Sequence, residues 1–184
     1  RNQLPPSSSN FSKSDYSRNE HVRNHLRKKN LNKSTIDLIP YGHYSLSLDK
    51  YTQATSPLRR YIDLLTQYQV LSYLDKYKTI SSESMKDNVT NYIQSQKNYN
   101  QLTRSYRREL ILQYLSINNN EVWNIIFLSW LNKYNSLSLL HFKNIYIDTP
   151  CFINLPDNVT IGMEFSIKVT NIDLSLLSMK AFLP

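Results

Sequence analysis

Glycine is almost missing from this chain of 184 residues, which holds two. That excludes the glycine-rich phosphate loops of nucleotide-binding folds, whose backbone must approach its ligand closely. A single cysteine, Cys151, excludes an intramolecular disulfide framework and fits a reducing compartment, with packing as its expected role. No apolar run approaches membrane-spanning length: the longest, Val122 to Leu131, is interrupted by Asn124 and Ser129 and reads as a core helix. No signal peptide is visible in the polar, proline-broken N-terminal stretch. Aspartate and glutamate are scattered singly, so neighbours in sequence cannot assemble a magnesium site of the phosphoryl-transfer type. No serine-histidine-acid set stands at a recognisable motif, and His43 has no second ligand at metal spacing. Alone, the sequence does not read as a catalyst.

What is present is enough apolar residue, 40%, to build a real core, and a net charge of +8 that is unevenly spread. Residues 1–60 carry eleven Lys or Arg against four Asp or Glu, a balance of +7, while residues 121–184 carry four against five, a balance of −1. Basic character concentrated in the first third points to a polyanion, of which nucleic acid is the usual one, or else to a basic solvated loop.

The stretch Tyr51 to Leu74 organises the reading. Ser56 is a good N-cap and Pro57 suits a first helical position, so a helix is expected from Pro57. Leu58, Tyr61, Ile62, Leu65, Tyr68 and Ser72 then form its buried face, and Arg60, Asp63 and Gln67 the opposite one. That places Arg59 and Arg60 in the first turn, where the helix dipole repels cations. Either the two guanidiniums, the free amides and the hydroxyls of Thr55 and Ser56 bind an anion, or Arg59 pairs with Asp63 and Arg60 is solvated. On the residues alone the two readings stand level.

Elsewhere, residues 1–36 read as mostly irregular, with one short helix around Glu20 to Lys29. A turn at residues 39–43 leads into alternating Tyr44 to Leu48, the pattern of a short strand. A long helix is expected from about Ser82 to Leu115, with Met85, Tyr92, Tyr99 and Tyr106 as a core stripe and Arg104, Arg107 and Arg108 as a second basic cluster. A third, well-buried helix is expected over Glu121 to Tyr134, around Trp123, Ile126, Phe127 and Trp130. From Leu137 onward, short apolar runs separated by turns predict a small antiparallel barrel, of which the oligonucleotide-binding (OB) barrel is one type.

The run from His43 through Thr55-Ser56-Pro57-Leu58-Arg59-Arg60-Tyr61 to Leu74 resembles the C-terminal part of the catalytic domain of the ribonuclease II family. These are the RNB-type 3'→5' exoribonucleases, and the likeness is strongest to cyanobacterial and plastid members. Arg1-Asn2-Gln3 followed by prolines is similar to a segment upstream in that domain. The resemblance implies an α+β chain: a helix-rich C-terminal portion of the RNB domain over residues 1–116, then a buried helix and a small degenerate OB-like barrel over 117–184. It implies hydrolysis of single-stranded RNA to nucleoside 5'-monophosphates with Mg2+. Arg59 falls where the family's arginine holds the scissile phosphate, with Tyr51, Thr55, Ser56, Arg60 and Tyr61 shaping the pocket and Arg104 as a further RNA contact.

The family's metal-binding aspartates lie in an earlier stretch, so no metal ligand is expected in this chain. A chain starting at Arg1 is expected to be a processed product or a C-terminal piece, with an N-terminal portion of the same enzyme as a partner beside RNA, and no membrane. Plastid or cytoplasm is the expected compartment. Ser45 and Ser47 replace family glycines, Gln67 a common histidine, and Thr103 an acidic residue. These departures keep open a non-catalytic RNA-binding remnant, and, further off, a helical module that touches no RNA.

Overall fold

The computed structural model describes residues 19–31, 35–43, 46–75 and 77–184. The irregular reading of the N-terminus, the Arg1-Asn2-Gln3 likeness, and Tyr44 and Ser45 lie outside the described residues. Among the described residues three helices, α1 (Glu20–Asn30), α2 (Tyr61–Tyr73) and α3 (Ser82–Ile117), precede five strands. These are β1 (Val122–Asn132), β2 (Leu137–Phe142), β3 (Ile147–Ile153), β4 (Glu164–Asp173) and β5 (Ser178–Phe182). The described residues form two compact units, one of residues 35–101 and one of 19–31 with 102–184. No described helix is long and apolar enough to cross a membrane.

In the second unit the strands close into a barrel in the order β1-β2-β3-β5-β4, antiparallel except for the parallel β3–β5 pair. The chain is thus mixed α+β with the small barrel expected. Its interior holds Trp123, Ile125 and Phe127 of β1 with Leu140, Phe142, Ile153, Ile167 and Met179, and Leu112 and Leu115 of α3 plug it. Cys151 is buried there, and burial pushes its thiol up to about 12, so it packs rather than reacts.

The expected helix over Glu121 to Tyr134 is instead strand β1, and the reason is physical. A strand half-exposed to water alternates, but β1 is covered on both sides: Val22 and Leu26 of α1 press on Ile126 and Leu128, which point out of the barrel. Four consecutive residues, Ile125 to Leu128, are therefore buried, and such a run cannot be told from a core helix by periodicity. Each of the four side chains in that outer joint contributes roughly 1.5–3 kcal/mol by burial. Helix α1 itself lies where expected, started by Asn19, whose side chain accepts from the His21 amide at 3.0 Å.

Scarcity of glycine marks the hairpins. The β1–β2, β2–β3 and β4–β5 connections each have four residues, and the last of each, Ser136, Tyr146 and Leu177, takes a left-handed φ of 53°, 54° and 47°. Glycine adopts this conformation without strain.

The long helix expected from Ser82 is α3, but its tyrosine stripe is not core. Tyr99 and Tyr106 are exposed, and only Met85 and Tyr92 of that series are half-buried. One residue of the second basic cluster is not a solvated face: Arg108 turns into the barrel end. Its Nε donates to the Leu177 carbonyl at 3.0 Å, Nη2 to the Pro150 carbonyl at 2.7 Å, and Nη1 to the Thr149 hydroxyl. Arg108→Met keeps the length and removes all three donors. It is expected to destabilise the barrel by about 2–3 kcal/mol, read as a lowered urea midpoint of the fluorescence of the two β1 tryptophans, Trp123 and Trp130, with an unchanged m-value.

Candidate nucleic-acid interface

The first unit carries the arginine pair. Its helix does not start at Pro57. Residues 57–59 make a turn in which the Arg59 and Arg60 amides donate to the Ser56 carbonyl at 3.2 and 3.0 Å, and Arg60 then breaks to extended φ −124°, ψ 107°. Helix α2 begins at Tyr61, with Arg60 at the N-cap and no side-chain cap. Ser56 contributes its backbone rather than its hydroxyl.

The break is enforced by Asp63. Its Oδ2 accepts from the Ser56 amide at 2.8 Å, from Arg60 Nε at 3.1 Å and from Arg60 Nη2 at 2.8 Å. The other Arg60 contact is Nη2 to the Thr55 hydroxyl at 3.1 Å. Asp63 is 1% exposed and Arg60 27%, so the pair is a partly buried lock. Asp63 also supplies the first-turn negative charge that α2's positive end favours.

Asp63, expected on the solvent face, is instead buried, and of the two readings left open for the arginines the ion pair is made by Arg60 rather than Arg59. An extended residue at position 60 shifts the pairing by one, to the three-residue spacing of Arg60 and Asp63. That spacing was the available signal. The assigned buried face also shifts: Leu65 and Ser72 are buried, whereas Leu58 and Tyr61 are exposed.

Arg59 is left over. Its side chain is exposed, and among the described residues it has no hydrogen-bond or ion-pair partner. The neighbouring candidates are placed around the turn. Gln67 Nε2 donates to the Ala54 carbonyl at 2.6 Å, fixing the strand of chain that leads to Thr55. Tyr61 Oη donates to Asn88 Oδ1 at 3.2 Å. Tyr51 donates its amide to the Tyr41 carbonyl at 3.1 Å and packs edge-on against His43 with ring centroids 4.6 Å apart. Arg104, exposed on α3, belongs to the second unit.

Of the expected strand over Tyr44 to Leu48, the described residues include one bridge, between Leu48 and His43. The turn is tight enough that a Cβ on Gly42 would sit 2.8 Å from the Leu48 carbonyl oxygen, which requires glycine. Ser47 takes a left-handed φ of 51°, the conformation that the glycine it replaces would adopt freely.

Magnesium does not fit the described residues. Among them no group of three or more histidine, cysteine, aspartate or glutamate side chains converges to hold a metal ion. The acid nearest Arg59 in the turn, Asp63, is already committed to Arg60 and Ser56.

Residues 3–76 match the model of the RNB domain. An uncharacterized ribonuclease of Synechocystis sp. is 34% identical over 142 residues, which cover 77% of this chain and 21% of that protein. The Dss1 exoribonuclease of Candida glabrata, as an active-site mutant, shares the fold at TM-score 0.74 and 18% identity, over 89% of this chain and 21% of that one. Mycoplasma genitalium RNase R in complex with ribose-methylated single-stranded RNA does so at TM-score 0.67 and 19% identity, over 89% of this chain and 29% of that one. The chain spans about a fifth of the length of the Synechocystis relative.

The two adjacent arginines should behave oppositely as structural elements. Arg60→Ala leaves a buried carboxylate unpaired and is expected to cost about 3 kcal/mol of local stability, read as faster hydrogen exchange at the Ser56 amide. Arg59→Ala is expected to change that exchange by less than about 0.5 kcal/mol.

Proposed function

We propose that this chain, which belongs to the RNB-domain family through residues 3–76, is the phosphate-gripping portion of a 3'→5' exoribonuclease acting on single-stranded RNA. The observation that carries the proposal is the division of labour in the arginine pair. Arg60 is spent on Asp63 and Thr55, while Arg59 stands exposed beside it with its donors uncommitted. A planar guanidinium offers two parallel N–H groups to one phosphate. Held by a rigid turn, such a group strengthens its bonds as negative charge builds on the phosphate oxygens during hydrolysis. Tyr51, Thr55, Ser56 and Tyr61 would border the bound phosphate. Arg104 would add a further backbone contact, and release of nucleoside 5'-monophosphates follows from the family resemblance.

Mg2+ is the cofactor the family resemblance implies, and the described residues do not by themselves fit one. Hydrolysis in this proposal draws its metal-binding carboxylates from an N-terminal portion of the same enzyme. The proposed compartment is plastid or cytoplasm.

Titration of a labelled single-stranded oligouridylate against this chain over a range of salt tests the proposal. Binding is expected to weaken linearly with log salt, and Arg59→Ala to reduce that slope by about one. The chain alone is expected to bind without trimming the RNA. Binding that ignores salt, or an Arg59→Ala variant indistinguishable from the parent, would remove the assignment of Arg59.

A further inference from the structure

Helix α1 faces two ways. Val22 and Leu26 are buried against Ile126 and Leu128 of β1, while Arg23, Arg27, Lys28 and Lys29 are exposed. Its one acid, Glu20, lies in the first turn, at the opposite end from Arg27, Lys28 and Lys29. The helix dipole favours cations in the last turn, but it gives no reason for Arg23, close to the positive end. The segments on either side, residues 1–18 and 32–34, hold Arg1, Lys13, Arg18 and Lys33 against the single acid Asp15. By composition they add to the charge of α1 and do not cancel it.

Beside this helix stands an aromatic ledge. Tyr146 ends the β2–β3 connection at a left-handed φ of 54° and is 75% exposed. Its ring lies 5.8 Å from the His21 ring of α1, tilted 46° to it, and His21 stacks in turn on His141 of β2 at 4.0 Å. A glycine would relax that backbone position, so stability of the fold does not by itself select a tyrosine there. Cations along a helix, next to an exposed ring backed by stacked imidazoles, are the two parts of a single-strand nucleic-acid site: charge follows the phosphates and the ring takes a base face. An anionic lipid surface fits worse. Lying in it would need the apolar face of α1, and that face is already spent on the barrel.

We propose that the outer side of α1, with Arg23, Arg27 and Lys28, and the ring of Tyr146 form a second contact for single-stranded RNA, carried by the second unit and separate from Arg59. The choice of RNA as the polyanion rests on the exoribonuclease function proposed above; the surface itself does not. It would hold the strand without reading its sequence, because phosphates and base faces are common to all four nucleotides.

Titration of a labelled oligouridylate against the full chain, repeated across salt, tests the surface. Arg23→Gln, Arg27→Gln and Lys28→Gln together are expected to lower the salt slope by about two. The same charge change at three other exposed cations, Lys97→Gln, Lys133→Gln and Lys180→Gln, is expected to lower it clearly less. Tyr146→Gly is expected to weaken binding on the order of tenfold with the slope unchanged and the urea midpoint unchanged or raised, which separates a lost ring from a damaged fold. The two assignments fail separately. Binding that the α1 triple variant leaves intact while Arg59→Ala weakens it overturns this surface and keeps Arg59; the converse overturns Arg59 and keeps the surface. Equal losses of slope at α1 and at the three control lysines overturn the surface, as do a Tyr146→Gly variant that binds like the parent and tighter binding to phosphatidylserine vesicles than to RNA. A parent chain that binds no RNA overturns both.

Discussion

One carboxylate organises the first unit. Asp63 gathers the Ser56 amide and the Nε and Nη2 donors of Arg60 onto a single oxygen, and from that follow the turn at residues 57–59, the delayed start of α2 and the release of Arg59 to solvent. Apolar packing could not have done this. Among the described residues of that unit only Asp63, Leu65, Ser72 and Val89 are buried, so a polar lock sets the shape that a core sets elsewhere. Buried ion pairs add little net stability but fix a unique arrangement.

The second unit is built the opposite way, from two layers of apolar contact sharing one strand. The inner layer fills the barrel and is plugged by Leu112 and Leu115; the outer seats α1 on Ile126 and Leu128. Strand β1 serves both, so its sequence lost the alternation that would have announced it. Strand β2, over Leu137–Phe142, coincides with an apolar run of the sequence, whereas Asp148-Thr149-Pro150, which read as a turn, lies inside β3.

At the site, legibility divided along similar lines. Arg59 was singled out by the resemblance alone, whereas the motif and its place before a helix could be read from residue types at short spacing. The role of Asp63 could not, because it depends on one backbone residue, Arg60, adopting extended geometry where capping preferences at Ser56 and Pro57 favour helix. The tyrosine stripe of α3 failed for a different reason. Spacing shows which residues share a face, but not whether anything covers that face, and Tyr99 and Tyr106 are exposed.

The left-handed residues that close three of the barrel's hairpins reverse an ordinary rule of mutational tolerance. Glycine in a folded element usually weakens it, yet Ser136, Tyr146 and Leu177 each hold a side chain in a conformation costing roughly 1 kcal/mol or more. At these positions glycine would be the relaxing residue. A chain with two glycines therefore keeps an untapped reserve of stability in its loops.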